Sequence, residues 1–350
     1  MRRIFLLSNM FPQENNITSG AFVEKMMNQL INKDQFEINL CVLRPNRNKF
    51  LAYLWFYLRA LWSMTVMRDY VLYCHFVSRT GLLGLIGRYL FGKKVILNCH
   101  GSDIMIPAKT EGYIHKLNGI VLRCANKIIV PSNFFAQLVS EKFDIPMRKI
   151  FIYPSGGVFY PTNLEVRDHH WSKDFITFGY VGSLSIAKGL QIITKCMNHI
   201  DFRCRLIVAG AGDYELINSL TNSNVELVCH GALDREGINK VYEEIDVLLF
   251  PTLLEESLGL TPIEAMAFGV PVVASKIGAV TEYIENGKNG FLIEPGSSDD
   301  LTKTLMQIKN LTQPEYASLS FAARSVAAKY DENKIVEEYR SLFRGEFNAA

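Results

Sequence analysis

The sequence lacks most of the local motifs that assign a function by themselves. Its seven cysteines form no CxxC pair, so neither a zinc site nor a thioredoxin-like redox centre is indicated. No GxGxxG follows the first predicted strand, and no GxxxxGK[ST] is present. Nicotinamide chemistry and P-loop hydrolysis are therefore both disfavoured.

Export signals and membrane spans are also missing. The chain begins MRRIFLLSNMF, but its apolar run is too short for a signal peptide and no small-residue cleavage site follows. The most hydrophobic stretch, Phe50–Met67, has about the length of a span, yet Arg59 lies at its centre. With an odd number of cysteines, these features predict a reduced, cytoplasmic protein without disulfides or a membrane span.

What is present is an ordinary globular composition with an uneven distribution of charge. The 350 residues, 49% hydrophobic and 21% charged, are typical of two or three domains. Residues 1–160 contain 20 Lys and Arg against 9 Asp and Glu, a net +11; residues 161–350 contain 17 against 26, a net −9. The basic half either faces an anionic partner or is simply attracted to the acidic half.

The stretch Phe50–Met67 lies within the basic half and has two interpretations. Between Ile38 and Arg68 the sequence has no acidic residue, and basic residues surround Trp55 and Trp62. This pattern fits a helix lying on an anionic membrane surface. The alternative is a core helix of an α/β domain.

Short apolar runs alternate with longer helical patterns along the whole chain. Alternation of this kind predicts parallel sheets covered by helices, with ligands at the carboxyl ends of the strands. Two series occur, which predicts two doubly wound, Rossmann-like α/β domains, residues 1–160 and 161–330, joined between residues 154 and 174. The predicted strands are Arg3–Leu7, Ile38–Leu43, Tyr70–Cys74, Lys94–Asn98, Lys127–Val130, Ile150–Tyr153, Thr177–Val181, Arg205–Ala209, Val225–Cys229, Val247–Phe250, Val270–Ala274 and Gly290–Ile293.

The richest segment for chemistry is FPTLLEESLGLTPIEAMAFGVPVVAS, which follows a buried strand. Thr261 is predicted as the N-cap of a helix and Pro262 as its first residue. The free amides at this helix start predict an anion site suited to a diphosphate. Glu256 and Glu264 suit hydroxyl groups of a ribose or a sugar. Their alternatives are a solvated loop acid for Glu256 and a capping box with Thr261 for Glu264.

Several motifs together resemble a known family. Glu256-x7-Glu264 within EESLGLTPIEAMAFGVPVVAS looks like the signature of the GT4 family of retaining glycosyltransferases, which have the GT-B fold. The segments GAFVEKMMNQL, NCHGSD, YVGSLSIAKG, LIVAGAGD, CHGALD and GAVTEYIENGKNGFLIEP agree in the expected order. The resemblance implies two Rossmann-like domains facing each other across a cleft, with a C-terminal helix, 331–350, that packs back on the first.

The resemblance also implies which residues bind the donor's diphosphate. Backbone amides near Gly259, Leu260 and Thr261 would hold it, and Lys188 would neutralise it and stabilise the leaving nucleotide. Ser183 stands in VGSL where the family has V-G-R-L, so one of the two usual cations is missing. Three explanations are open. Lys188 and the helix start are sufficient to bind the diphosphate, another cation also contacts the diphosphate, or the protein is a weakened or inactive enzyme.

Other matching residues are implied to bind the nucleoside and the transferred sugar. Glu264 would accept hydrogen bonds from the ribose hydroxyls, and His230 would flank the base. Glu256 and His100 would lie against the transferred sugar and, with the lysine, form the catalytic set. Gly20 would let the backbone approach the ligand closely. Taken alone, a His beside Gly at a strand end is more often structural than catalytic.

These features predict glycosyl transfer from a nucleotide diphosphate sugar to an acceptor hydroxyl, with retention. No DxD motif is present, in agreement with a metal-independent enzyme that needs no cofactor. The expected setting is bacterial-type surface polysaccharide or lipid-linked glycan synthesis, peripheral on the inner membrane face, with a glycan acceptor and no nucleic-acid partner. Alternatives are a sugar-nucleotide-modifying enzyme and a non-catalytic nucleotide-sugar-binding paralogue.

Overall fold

The computed structural model describes residues 2–13, 20–31, 35–44, 47–105, 111–162 and 175–348. Contacts divide the chain into two compact units: residues 1–157 with 333–350, and residues 158–332. Part of the sequence that was predicted to join the domains, residues 163–174, lies outside the described residues.

The first unit is built on a parallel sheet of six strands in the described part of the chain. Its order is β2-β1-β3-β4-β5-β6, and every neighbouring pair is parallel. The direction of travel across the sheet reverses between β1 and β3, where α/β sheets of this type bind ligands. The strands are β1 Arg2–Ser8, β2 Phe36–Val42, β3 Tyr70–His75, β4 Lys94–Asn98, β5 Lys127–Val130 and β6 Ile150–Ile152. The helices are α1 Ala21–Ile31, α2 Lys49–Val66, α3 Val77–Tyr89, α4 Glu111–Cys124 and α5 Asn133–Phe143.

The second unit repeats the plan with strand order β12-β11-β10-β7-β8-β9, again parallel throughout. Here the reversal lies between β10 and β7. The strands are β7 Ile176–Val181, β8 Cys204–Ala209, β9 Val225–Gly231, β10 Val247–Phe250, β11 Val272–Ser275 and β12 Gly290–Ile293. The helices are α6 Leu190–Met197, α7 Glu215–Asn218, α8 Arg235–Glu244, α9 Leu260–Ala267, α10 Ser298–Lys309 and α11 Gln313–Ala327.

The central strands show why the apolar runs form strands. Every residue of β3, of β7 and of β10 is buried, because helices cover both faces of a parallel sheet. A strand of this kind is continuously apolar, and the twelve predicted runs each overlap one of the observed strands. The predicted α/β fold with two parallel sheets is confirmed.

The last helix, α12 Glu332–Asn348, packs on the first unit. Its Tyr339 ring stacks on Tyr153, with centroids 4.1 Å apart, and its hydroxyl lies 2.9 Å from that of Tyr73. Arg340 donates to the carbonyl of Gln29 in α1 at 2.8 Å. Burial and two kinds of specific contact therefore hold α12 on this unit.

Tyr339→Ala is expected to destabilise the first unit by about 3–5 kcal/mol, because it empties a fully buried aromatic site. Tyr339→Phe keeps the stack and loses only the hydroxyl contact, so it should cost about 1 kcal/mol. Urea unfolding of both variants measures the difference. Equal losses in the two variants would show that the ring packing does not anchor the helix.

Helix α2 contains the stretch with two interpretations, and it has a buried and an exposed apolar face. Phe56, Ala60 and Met64 are buried in the core of the first unit. On the opposite side, large apolar side chains are exposed at Leu51, Trp55, Leu58, Trp62 and Val66. The interpretation as a core helix therefore accounts for the buried face of α2 and not for its exposed apolar face. Among the described helices, none combines the length and apolar character that crossing a bilayer requires.

Candidate active site

The strand reversal of the second unit places two loops side by side at the carboxyl ends of β7 and β10. A short 3₁₀ turn after β7, Ile186–Lys188, ends at Gly189 with φ +78°. A Cβ at Gly189 would lie 1.8 Å from the carbonyl oxygen of Pro251, so only glycine lets the loops cross this closely. Leu253 donates to the Ala187 carbonyl at 2.9 Å. These contacts fix the backbone that carries Lys188.

Lys188 and Glu256 form an ion pair where these loops meet. The lysine Nζ lies 2.6 Å from Glu256 Oε1, which also accepts from the Thr252 hydroxyl at 3.2 Å. The side chains are 28% and 17% exposed, so the pair is accessible from solvent. The loop of Glu256 is held by the turn at Gly278, whose neighbour Ala279 donates to the Glu256 carbonyl at 3.0 Å.

The helix after this loop begins earlier than the sequence predicts. Gly259 is the N-cap, with φ +79°, and Leu260 and Thr261 are the first two helical residues. The prediction that Thr261 caps the helix was wrong, because the left-handed backbone at Gly259 already turns the chain into it. In the described part of the chain no side chain caps this end. Its first N–H groups have no intrahelical acceptor, which makes the end suited to an anion.

Glu264 lies on α9 facing α8 rather than closing a capping box. Its Oε2 accepts from the Tyr242 hydroxyl at 3.1 Å, and its Oε1 lies 3.4 Å from Arg235. Tyr242 is buried, and burial together with the negative charge of Glu264 holds its phenol pKa well above the ordinary range. The phenol therefore stays protonated and donates. The carboxylate, 23% exposed, keeps lone pairs for further donors.

The remaining predicted donor residues of this unit lie at the same edge of the sheet. Ser183 follows β7 and is exposed, while its carbonyl accepts from the Tyr180 hydroxyl at 2.6 Å. His230 is exposed at the end of β9, at a register shift where Ala209 pairs with Gly231. The structure thus brings the predicted donor-binding residues of the second unit to one edge of its sheet, with Lys188 and Glu256 in direct contact.

In the first unit, His100 follows β4 and lies in an aromatic setting. Its Nε2 is 2.9 Å from Nδ1 of His75, the last residue of β3, and the planes of the two rings are 12° apart. Burial lowers the pKa of His100 to about 3, so the imidazole is neutral at physiological pH. At Gly20, the side on which a Cβ would stand is filled by the backbone of Met10 and Phe11, 2.7 Å away. This glycine is therefore required for packing within the chain itself.

Sequence reasoning missed three residues at these sites: His75, Tyr242 and Arg235. His75 ends a buried strand next to the strand that leads to His100, and a polar residue at that place is the signal that could have found it. The contacts of Tyr242 and Arg235 with Glu264 depend on how α8 packs against α9, which spacing along the chain does not reveal.

A metal site was not predicted, and within the described ranges no three His, Cys, Asp or Glu residues are grouped to hold a metal ion. Metal independence remains a prediction.

Comparison with known proteins adds family and fold to this geometry. Residues 162–326, nearly all of the second unit, match the family described as glycosyl transferases group 1. The chain is 25% identical to an uncharacterized glycosyltransferase of Methanocaldococcus jannaschii over 282 residues. This alignment covers 78% of this chain and 74% of the relative. It is 24% identical to the lipopolysaccharide 1,2-N-acetylglucosaminetransferase of Salmonella typhimurium, covering 63% of each chain.

Among solved structures, HepE of Anabaena in complex with UDP superposes with a TM-score of 0.76 at 17% identity, covering 99% of this chain and 100% of that one. The likeness shows the GT-B fold. The family match of residues 162–326 and the relatives named as glycosyltransferases identify the chain as a glycosyl-transferring enzyme. Its second unit is similar to the group 1 glycosyl transferases, and two of the relatives are named for lipopolysaccharide and capsular polysaccharide synthesis.

Proposed function

We propose that the protein transfers a glycosyl unit from a nucleoside diphosphate sugar to an acceptor hydroxyl with retention of configuration, as in the GT4 glycosyltransferases. The observation that carries this proposal is the Lys188–Glu256 pair beside the uncapped start of α9. A cation and free amides suit a diphosphate, and a carboxylate beside them suits sugar hydroxyls. Both lie at the strand reversal of the second unit.

The proposed reaction breaks the bond between the sugar's anomeric carbon and the diphosphate oxygen and forms a bond to the acceptor oxygen. The acceptor's proton leaves with the diphosphate, so the step is balanced without a further reactant. Its transition state is oxocarbenium-like, and stabilising the departing negative charge is the main task of the site. Lys188 and the amides near Leu260 perform it, while Glu256 orients the sugar. We assign His100 to the transferred sugar on the family resemblance.

Two relatives support the choice of substrates. The HepE structure contains UDP, and the Salmonella relative is a lipopolysaccharide N-acetylglucosaminetransferase. We therefore take a UDP-sugar as the first donor to test and a surface polysaccharide or lipid-linked glycan as the acceptor class.

Binding and turnover test this proposal separately. A thermal-shift screen of UDP-, GDP-, ADP- and dTDP-sugars identifies the donor, and mass spectrometry with lipopolysaccharide and polysaccharide precursors detects the product. Proton coupling at the new anomeric centre reports retention. Binding without product from any acceptor indicates a non-catalytic paralogue, and conversion of the donor sugar alone indicates a sugar-nucleotide-modifying enzyme. Either result contradicts the proposal.

We also propose that the exposed face of α2 binds an anionic membrane surface. Leu51, Trp55, Leu58 and Trp62 recur at helical spacing on that face, with Trp55 60% and Trp62 72% exposed. The absence of acidic residues between Ile38 and Arg68 makes the surroundings basic. Exposed Trp with basic flanks is typical of helices at a lipid interface. This face would bring the enzyme to a lipid-linked acceptor on the inner membrane face.

A double variant, Trp55→Ser with Trp62→Ser, is expected to weaken binding to phosphatidylglycerol-containing vesicles by about tenfold or more, since two interfacial anchors are lost. Co-sedimentation of the full chain measures it, with phosphatidylcholine vesicles as reference. Phe321→Ser, which removes an exposed aromatic of the second unit, is the matched control. Failure of the unmodified protein to bind anionic vesicles would overturn the membrane assignment. The assignment would also fail if the unmodified protein were a dimer that the double variant dissociates, because this face would then bind a second copy of the chain.

A further inference from the structure

Residues 278–283 of the second unit lie against the loop that carries Glu256 and leads into α9. They open the run GAVTEYIENGKNGFLIEP, and Gly278–Glu282 form a short 3₁₀ helix. A Cβ at Gly278 would lie 2.7 Å from the backbone nitrogen of Glu256, so the two backbones are in contact at the start of the loop. The end of the loop is contacted by the next residue of the run, Tyr283.

Tyr283 contacts the end of this loop through its hydroxyl group. The hydroxyl oxygen lies 3.0 Å from the carbonyl oxygen of Leu258 and 3.0 Å from that of Gly259. Tyr283 is only 5% exposed, and burial holds the pKa of its phenol well above the ordinary value. The hydroxyl therefore stays protonated and donates, with its one proton shared between the two carbonyls.

The geometry of the peptide bond converts these contacts into an orientation of two backbone amides. In a trans peptide unit the C=O and the N–H point in opposite directions. The carbonyl of Leu258 shares its peptide unit with the N–H of Gly259, and the carbonyl of Gly259 shares its unit with the N–H of Leu260. Both of these peptide bonds are trans. Because the Tyr283 hydroxyl holds both carbonyls on its own buried side, it turns both N–H groups to the opposite side.

These two N–H groups lie at the start of α9, where the diphosphate is proposed to bind. Within the described part of the chain, neither of them donates to a backbone carbonyl, and no side chain caps this end of the helix. The carboxylate that pairs with Lys188 belongs to the same loop, at Glu256. Two parallel amides on the loop that meets this lysine are suited to an anionic ligand.

The contact requires glycine at position 259 and a fixed tyrosine ring. Gly259 has φ +79°, and a Cβ there would lie 2.9 Å from the Tyr283 hydroxyl. The ring of Tyr283 lies edge-on to that of Tyr330, with centroids 6.0 Å apart. Its carbonyl accepts from the side-chain amide of the buried Asn289 at 2.8 Å. The tyrosine is thus held from both sides, and its hydroxyl fits only a backbone without a side chain.

We propose that Tyr283 is a positioning residue that, from the buried side of the loop, directs the N–H groups of Gly259 and Leu260 towards the donor's diphosphate. The proposal rests on the function proposed above, which places the diphosphate at the start of α9. It adds that the affinity for the diphosphate depends on a hydroxyl group that does not itself belong to the binding surface.

Tyr283→Phe in the full chain tests this role, because it removes the hydroxyl and keeps the ring. Calorimetry measures the binding of UDP, and ligand-observed NMR measures the weaker binding of uridine; another base is used if the donor screen selects it. The dissociation constant of UDP is expected to rise about 10–100-fold, the usual effect of losing hydrogen bonds to a charged group. Because uridine has no phosphate to contact these amides, its dissociation constant should change less than about threefold.

Tyr316→Phe is the matched control in the same unit. The Tyr316 hydroxyl also donates to a backbone carbonyl, that of Asp246 at 2.8 Å, and Tyr316 is 3% exposed. Asp246 precedes β10, at the edge of the sheet opposite to the site. Each variant thus loses a buried bond from a hydroxyl to the backbone, but Tyr316→Phe should bind UDP like the unmodified protein. An unchanged UDP affinity in Tyr283→Phe, or the same loss in both variants, overturns the proposal.

The order of the loop gives a second measurement that needs no ligand. In ¹⁵N relaxation NMR, the order parameters of the Gly259 and Leu260 amides are expected near about 0.85 in the unmodified protein, as in rigid backbone. They should be lower in Tyr283→Phe and unchanged in Tyr316→Phe. Equal values in Tyr283→Phe and the unmodified protein would show that the hydroxyl does not hold the loop.

Gly259→Ala breaks the same contact from the side of the loop and is the second variant, should Tyr283→Phe not fold. Its methyl group would meet the Tyr283 hydroxyl, so UDP binding should weaken more than uridine binding. Retained UDP affinity in Gly259→Ala contradicts the proposal. If the unmodified protein binds no nucleoside diphosphate, the proposed function has failed, and the order parameters still decide whether Tyr283 holds the loop.

Discussion

Lys188→Ala is expected to reduce glycosyl transfer by about 10²–10³-fold, the usual cost of removing one group that stabilises developing charge. Ser183 occupies the place at which the resemblance implies an arginine, so one of the two cations usual in that family is missing at its position. The lysine is held at the strand reversal, 2.6 Å from Glu256, by two loops whose backbones are in contact. Initial rates at saturating donor measure the loss.

The same variant should leave the fold intact. Because the ion pair is partly exposed to solvent, its loss should cost less than about 1 kcal/mol of stability. Lys195→Ala removes an exposed lysine of α6 and is the matched control. Its turnover is expected to equal that of the unmodified protein. Near-wild-type rates in Lys188→Ala would mean that the diphosphate binds elsewhere.

The fold was predictable because its strands are buried on both faces. In β7 and β10, burial of every residue requires a continuous apolar run, and this run stands out in the sequence whatever its neighbours in space are. The order of strands was not predictable from these runs. The order depends on the edge of the sheet to which each crossover returns, and the apolar run of a strand does not indicate this edge.

The sequence singled out candidate site residues by two routes. Glu256 was proposed because its segment follows a buried strand, and Lys188 because it matches the resembling family. Their ion pair depends on the neighbouring positions of β7 and β10, which neither route reveals. The start of α9 was misplaced because Thr261-Pro262 is a good local signal for a helix start, whereas Gly259, with its positive φ, lies against Tyr283 and Val280, which are distant in sequence. His75 was missed since its partner lies 25 residues further along the chain.

Glu264, which we propose as a ligand of the donor's ribose, also takes part in the packing of the second unit. Its carboxylate accepts from the buried Tyr242 hydroxyl, so replacing it affects stability as well as binding. Leaving a buried hydroxyl without an acceptor costs about 1–3 kcal/mol. Glu264→Gln keeps an oxygen for Tyr242 and loses only the charge. Tyr242→Phe with Glu264→Ala removes both partners and should recover most of the stability.

Glu264→Ala is expected to raise the dissociation constant of the nucleoside diphosphate about 10–100-fold, because a charged acceptor of two ribose hydroxyls is lost. The Tyr242→Phe, Glu264→Ala double variant should bind as weakly as the single variant although its stability is recovered. Calorimetry with the nucleoside diphosphate and its 2′,3′-dideoxy analogue distinguishes the loss of a ribose ligand from a change in packing. The unmodified protein should prefer the hydroxylated ligand, and the variant should lose that preference. If the double variant binds normally, the packing of α8 against α9 controls affinity, and Glu264 does not bind the ribose.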